Sequence, residues 1–192
     1  MRQRRLHTPF FRRALLMGSC LVALLGGSAP GYGDDFSQKG EQLLKTAFLY
    51  NFAKFVEWPA TAFADEHTPV TICVLGTGPL GAELKSLNGK VIRERRLLVT
   101  QVSLDTHLTD CHQLYVSPNE LAHTPDLLRL LRTAPVLTVC DSEGCAEAGL
   151  MINMRMVDNR VALDLNLETL QRTPLKVSSQ LLKLMRIVNG AP

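Results

Sequence analysis

The sequence predicts a single α/β domain built on a mixed sheet of about six strands flanked by helices. Three observations carry that prediction. Short β-branched runs alternate with helical stretches between residues 70 and 139. Two strand-like segments then flank a turn at Asp158-Asn159. No internal repeat, low-complexity tract or linker interrupts the chain after residue 40, and 192 residues suffice for one domain with a real core.

The first element is a helix from Gln38 to Val56. Leu44, Phe48, Phe52 and Phe55 recur at spacings of four, four and three, which places them on one stripe with Ala47 beside it and Lys45, Lys54 and Glu57 off it. The helix stops at Trp58-Pro59, because proline disfavours helix in the residue before it. Val70 to Leu75 is a β-branched strand ended by Gly76. Ala82 to Leu87 is helical and stopped by Asn88-Gly89. Leu97 to Val102 and Gln113 to Ser117 are strands two and three. Asp126 to Arg132 is an amphipathic helix closed by Pro135, and Val136 to Val139 is strand four. Leu150 to Met154 and Val161 to Leu165 form a hairpin. In its second strand Val161, Leu163 and Leu165 alternate with Ala162, Asp164 and Asn166, the pattern of a half-buried strand. Leu167 to Arg172 is helical up to Pro174. Ser179 to Val188 reads as a closing helix with Leu181, Leu182, Met185 and Val188 on its apolar stripe, and Ser178 or Ser179 as its cap.

Hydrophobic residues make up 46% and charged residues 20%, a globular composition. The formal charge of +3 is misleading. Arg2, Arg4, Arg5, Arg12 and Arg13 fall within residues 1–33, which carry no acid, so the remainder is slightly acidic. That distribution argues against a nucleic-acid partner. The arginines precede an apolar run from Ala14 to Leu25 and a small-residue exit at Gly26 to Gly33. This is the pattern of a secretory signal peptide over residues 1–33, cleaved after Ala29 or Gly33, and the run is too short for a spanning helix. The expectation is an exported, periplasmic domain over residues 34–192.

Cys20 leaves with that leader. Cys73, Cys111, Cys140 and Cys145 remain, an even number in an oxidising compartment. Of three possible pairings, the most economical joins Cys73 to Cys111 and Cys140 to Cys145. The short Asp141–Gly144 loop is read as exposed, which makes its bond the better candidate for a labile one, the alternative being that both bonds are structural staples. A metal site around Cys111-His112 lacks the usual ligand spacing. Gly76-Thr77-Gly78-Pro79-Leu80-Gly81 is a literal G-x-G-x-x-G between a strand and a helix. Pro79 removes one N–H from any phosphate cradle, so a tight turn is the better reading. No nucleophile elbow, metalloprotease motif or Walker loop is present, and the sequence supports neither an enzyme nor a cofactor.

Several stretches resemble the YfiR-like family of exported bacterial proteins. They begin at Lys45-Thr46-Ala47-Phe48-Leu49-Tyr50-Asn51-Phe52-Ala53-Lys54-Phe55-Val56-Glu57-Trp58-Pro59 and continue through Ile72-Cys73-Val74-Leu75-Gly76 and Cys111-His112-Gln113-Leu114-Tyr115-Val116. Pro135-Val136-Leu137-Thr138-Val139, Gly149-Leu150-Met151-Ile152-Asn153 and Val177-Ser178-Ser179-Gln180-Leu181-Leu182-Lys183-Leu184 complete the match. The resemblance implies a periplasmic repressor of an inner-membrane YfiN-like diguanylate cyclase, sequestered by an OmpA-like YfiB-type outer-membrane lipoprotein. It also implies a homodimer, and it matches Cys73–Cys111 to the family's long-range disulfide and Cys140–Cys145 to its second pair. Tyr50 and Trp58 are the candidate partner contacts, because aromatic side chains anchor interfaces, with Arg160 in the hairpin turn as a third. The alternative is a periplasmic small-ligand receptor that passes a signal to a membrane sensor kinase.

Overall fold

The computed structural model describes residues 32–190, which belong to one compact unit. Helix α1 (Tyr32–Phe55) runs directly into the short strand β1 (Val56–Glu57). There follow β2 (Val70–Leu75), α2 (Pro79–Leu84), β3 (Val91–Ile92), β4 (Arg95–Val102), β5 (Gln113–Val116), α3 (Thr124–Leu130) and β6 (Leu137–Cys140). The last third holds β7 (Ile152–Val157), β8 (Arg160–Asn166), α4 (Leu167–Gln171), β9 (Lys176–Val177), α5 (Ser179–Leu182) and β10 (Met185–Val188). The leader assigned to residues 1–33 lies, up to residue 31, outside the described residues.

Eight strands form one mixed sheet in the order β10-β8-β7-β6-β5-β2-β4-β3, and β1 pairs with β9 in a separate ribbon. The α/β class is as expected, but the sheet has eight strands where about six were read from the sequence. The two extra ones are β3 and β10. Strand β3 is only two residues long and pairs across a turn at Arg93-Glu94. Strand β10 replaces most of the expected closing helix, which ends at Leu182 after one turn capped by the Ser178 hydroxyl. Met185 to Val188 instead lie parallel to β8, with Met185 opposite Leu163 and Arg186 opposite Asp164. The apolar spacing of that segment suits a helix. Tertiary pairing overrides it, since the strand buries Met185 and brings the Arg186 Nε–H to the fully buried Asp164 at 2.8 Å.

Residues along each strand alternate between two clusters. Ile72, Val74, Tyr115, Val139, Ile152, Met154, Leu163 and Leu165 pack on the side covered by α1, α2, α4 and α5. Cys73, Leu75, Leu114, Val116 and Cys140 pack on the opposite side, under α3 and the loops beside it. Strands β5 and β6 are buried on both faces, as the centre of a parallel sheet requires. The buried positions of α1 are Lys45, Thr46, Leu49, Phe52 and Ala53, followed by Val56 at the start of β1. That face is turned by about one residue from the expected stripe: Leu44 is 40% exposed and Ala47 is exposed, whereas Lys45 points inward.

Parallel strands need a crossover of about a dozen residues, normally a helix. Between β6 and β7 the crossover is residues 141–151, without a helix, and Cys140–Cys145 staples its start.

Candidate functional site

The end of α1, the turn after β1 and the β3–β4 hairpin meet in an aromatic corner. Pro59 forces the chain into a single 3₁₀ turn over Ala60–Ala62, which delivers Phe63 back onto the sheet. The Trp58 indole N–H donates to the His112 carbonyl at 2.8 Å, and its ring meets the imidazole edge-on at 5.8 Å. Phe63 stacks on the same imidazole at 4.4 Å. The Arg95 guanidinium lies 4.0 Å over the far side of Phe63 and donates to the Asp65 and Thr68 carbonyls at 2.7 and 2.8 Å. His112 Nδ1 accepts the Thr71 N–H at 3.1 Å. Burial and, secondarily, the Arg95 charge push the His112 pKa down to about 4, so the ring is neutral at physiological pH.

A recess of about 90 Å³ opens between Trp58, Phe63, Ile92, Arg93 and Arg95. Its rim includes a strained turn. Arg93 and Glu94 both adopt positive φ, 46° and 69°, where the hairpin geometry favours asparagine and glycine. Left-handed backbone costs an L-residue on the order of 1–2 kcal/mol, and such strain clusters where surroundings dictate a side chain's position. Arg93 faces Glu57 at 3.8 Å. Tyr50 reaches the same hairpin: its hydroxyl donates to the Val91 carbonyl at 3.3 Å. The structure thus brings both Tyr50 and Trp58 to the β3 hairpin, Tyr50 at Val91 and Trp58 at the recess lined by Ile92 and Arg93. It places Arg160 elsewhere, not in the turn as expected but as the exposed first residue of β8, paired with Val157, towards the opposite edge of the sheet.

The cysteines pair Cys73 with Cys111 and Cys140 with Cys145, with Cα separations of 5.7 and 6.5 Å. The first bond ties β2 to the residue before His112. The second corrects the expectation of an exposed bond. Glu143 and Gly144 are exposed, but Cys140 and Cys145 are 0% and 2% exposed. Cys140 belongs to the buried end of β6, so the crossover folds back over its own staple, and a reductant reaches the sulfurs only if that loop opens.

A model of the family described as YfiR/HmsC-like matches residues 42–186. The chain belongs to that family. The match runs from within α1 to Arg186 of β10, so it takes in the aromatic corner and both disulfides.

Within this YfiR/HmsC-like domain, sequence reading missed one buried charge cluster. Lys45 Nζ contacts Glu41 at 2.6 Å and Asp141 at 2.9 Å, with its side chain 5% exposed. The Tyr115 hydroxyl donates to the other Asp141 oxygen at 2.8 Å. Burial alone would depress the lysine pKa, but its two carboxylate partners overcome this and raise it. Burial and the Asp141 charge raise that of Tyr115. Nothing in a single lysine on a helix announces this, since its partner lies 96 residues away. Asp141 follows Cys140 directly, so the cluster ties α1 to the stapled crossover. Asp164 is a second such centre. Its burial opposes ionisation, but Arg155 and Arg186 donate to it and hold its pKa low.

The glycine motif sits at the switch point between β2 and β5, where doubly wound sheets receive ligands. In this YfiR/HmsC-like chain the molecule itself fills that place. A Cβ on Gly76, whose φ is +85°, would fall 2.8 Å from Asn119 Oδ1 and 2.5 Å from Glu120 Cγ. One on Gly81 would meet Val74 at 2.9 Å. Gly76 and Gly81 therefore serve close packing, of a turn and of α2 on β2 respectively.

Proposed function

We propose that this YfiR/HmsC-like chain is a periplasmic binding regulator that represses an inner-membrane diguanylate cyclase, and so lowers cyclic di-GMP and biofilm formation. The observation that carries the reading is the family match over residues 42–186. Two disulfides suit an oxidising compartment, and among the described residues no helix is long and apolar enough to cross a membrane. Its partners on this reading are the periplasmic domain of a YfiN-like cyclase, a YfiB-type OmpA-like lipoprotein that relieves repression, and a second copy of the chain.

A binding regulator acts by holding its target's inactive state more tightly than the active one, and a competitor for the same surface reverses it. The aromatic corner suits that task. Its recess of about 90 Å³ is well below the usual size of a metabolite pocket and close to that of one side chain. Half-buried aromatics around a recess that accepts a partner's side chain are the anatomy of an interface hot spot. Trp58 and Tyr50 have their polar ends tied internally, which leaves rigid rings for the contact.

The test is intracellular cyclic di-GMP in cells lacking the chain, with and without the candidate cyclase. A rise that requires the cyclase is expected, and complementation with Arg93→Glu should restore less repression than the unaltered chain. An unchanged level in the deletion strain would overturn the reading.

A further inference from the structure

A cavity of about 320 Å³ opens on the α3 side of the sheet, between α3, the β6–β7 crossover and α4. This volume lies within the range of small-molecule sites. One wall is apolar, made by Leu127, Leu128, Leu131 and Met151. Glu147, from the crossover, also lines the cavity, and its Oε2 is buried without a hydrogen-bond partner. Buried polar atoms are nearly always paired, and a desolvated carboxylate oxygen without a donor is costly. The missing partner is a donor, and the apolar wall beside it defines the rest of the occupant.

We infer that this cavity binds a small organic cation, whose ammonium donates to Glu147 Oε2 and whose apolar body lies against Leu127, Leu128, Leu131 and Met151. The neighbouring positive charges do not oppose it. Arg172 is neutralised by its ion pair with Glu168. Arg132 is exposed, where water screens its charge. Arg155, whose charge reaches Glu147, donates to Asp164 through two nitrogens. A metal ion would need several converging oxygen ligands, and of the two carboxylates lining the cavity Glu168 is already paired with Arg172. An apolar cavity of about 150 Å³ takes benzene, so one of twice that volume accepts a body of roughly six to twelve heavy atoms. The inference is independent of the cyclase reading, whose candidate surface lies on the α1 side of the sheet.

The experiment is calorimetric titration of the purified, oxidised chain with hexylamine at pH 7, with butylamine, hexanoate and norleucine as comparisons. Saturable hexylamine binding is expected, several-fold weaker for butylamine and absent for hexanoate. Glu147→Gln should weaken hexylamine at least tenfold with little change in melting temperature, because Oε2 of the carboxylate has no hydrogen-bond partner to lose. Ala148→Trp, which places a bulky ring in the lining, should abolish binding and decides the matter should Glu147→Gln fail to fold. Absence of hexylamine binding, undiminished binding by either variant, or preferential binding of norleucine or hexanoate would overturn the inference, the last by assigning recognition to Arg132.

Discussion

The two faces of the central sheet are covered by different means. On one side the 24-residue α1 lays Leu49, Phe52 and Ala53 across the strands, and α2, α4 and α5 complete the layer. On the other, the seven-residue α3 contributes Leu127, with Leu131 just beyond its end, and the remaining cover is turns and the 141–151 crossover. Both disulfides lie on that second side, buried within its cluster. A long helix satisfies its own backbone and buries a continuous stripe, so packing alone holds it. Loops bury less per residue ordered, and a cross-link offsets the deficit by restricting the unfolded chain. Where the sequence has no second long helix, it has cysteines.

That contrast is open to direct attack. The largest expected effect is on the stapled side: Cys73→Ala with Cys111→Ala should cost about 4 kcal/mol in urea unfolding, and Cys140→Ala with Cys145→Ala about 2. Amide exchange under reductant should then rise first around α3 and the crossover; earlier loss of protection in α1 would break the comparison. On the helical side, Lys45→Ala leaves Asp141 buried beside Tyr115 without its cation and should cost about 3 kcal/mol. Adding Asp141→Leu should recover most of that loss in the same assay. If it does not, the cluster is not what joins α1 to the crossover.

The His112 pKa of about 4 lies below the ordinary histidine value of 6.5, so the unfolded chain takes up a proton that the folded one refuses between those values. The stabilisation is complete above pH 6.5 and is lost as pH falls towards 4, by about 3 kcal/mol in all. A stability profile over that window should flatten in His112→Gln. A smaller gain is expected from Arg93→Asn with Glu94→Gly, which relieves the left-handed turn and should raise stability by about 1 kcal/mol. If the turn positions the aromatic corner for a partner, the same variant should repress less well in cells. Arg160→Ala, at the exposed start of β8, should change stability by no more than about 0.5 kcal/mol in the same unfolding assay.

Much of the α1 side was legible in the sequence. Val70–Leu75 reads as a strand over the residues that form β2, and Asp158-Asn159 marks a turn that the positive φ values of 50° and 59° there require. These are local signals: β-branched composition in one case, tolerance of left-handed backbone in the other. The exit of α1 was equally plain from Trp58-Pro59. The candidate site was legible only in part. Tyr50 and Trp58 stood out as aromatics with polar ends, but Phe63, Arg95 and His112 lie on segments that meet them only after the sheet has formed.

The sequence by itself determined the α/β class, the places of six strands and the ends of most helices, because side-chain period, proline and glycine act within a few residues of where they stand. The tertiary structure alone decided that Met185–Val188 is a strand, that Lys45 points inward, and that Cys140–Cys145 is buried. Each of those outcomes depends on a partner remote in sequence, or on a covering loop: Asp164 for Arg186, Asp141 for Lys45, the crossover for its own staple. At Lys45 and Arg186 the local pattern permits another arrangement, and the chain takes the one that pairs the buried carboxylates of Asp141 and Asp164.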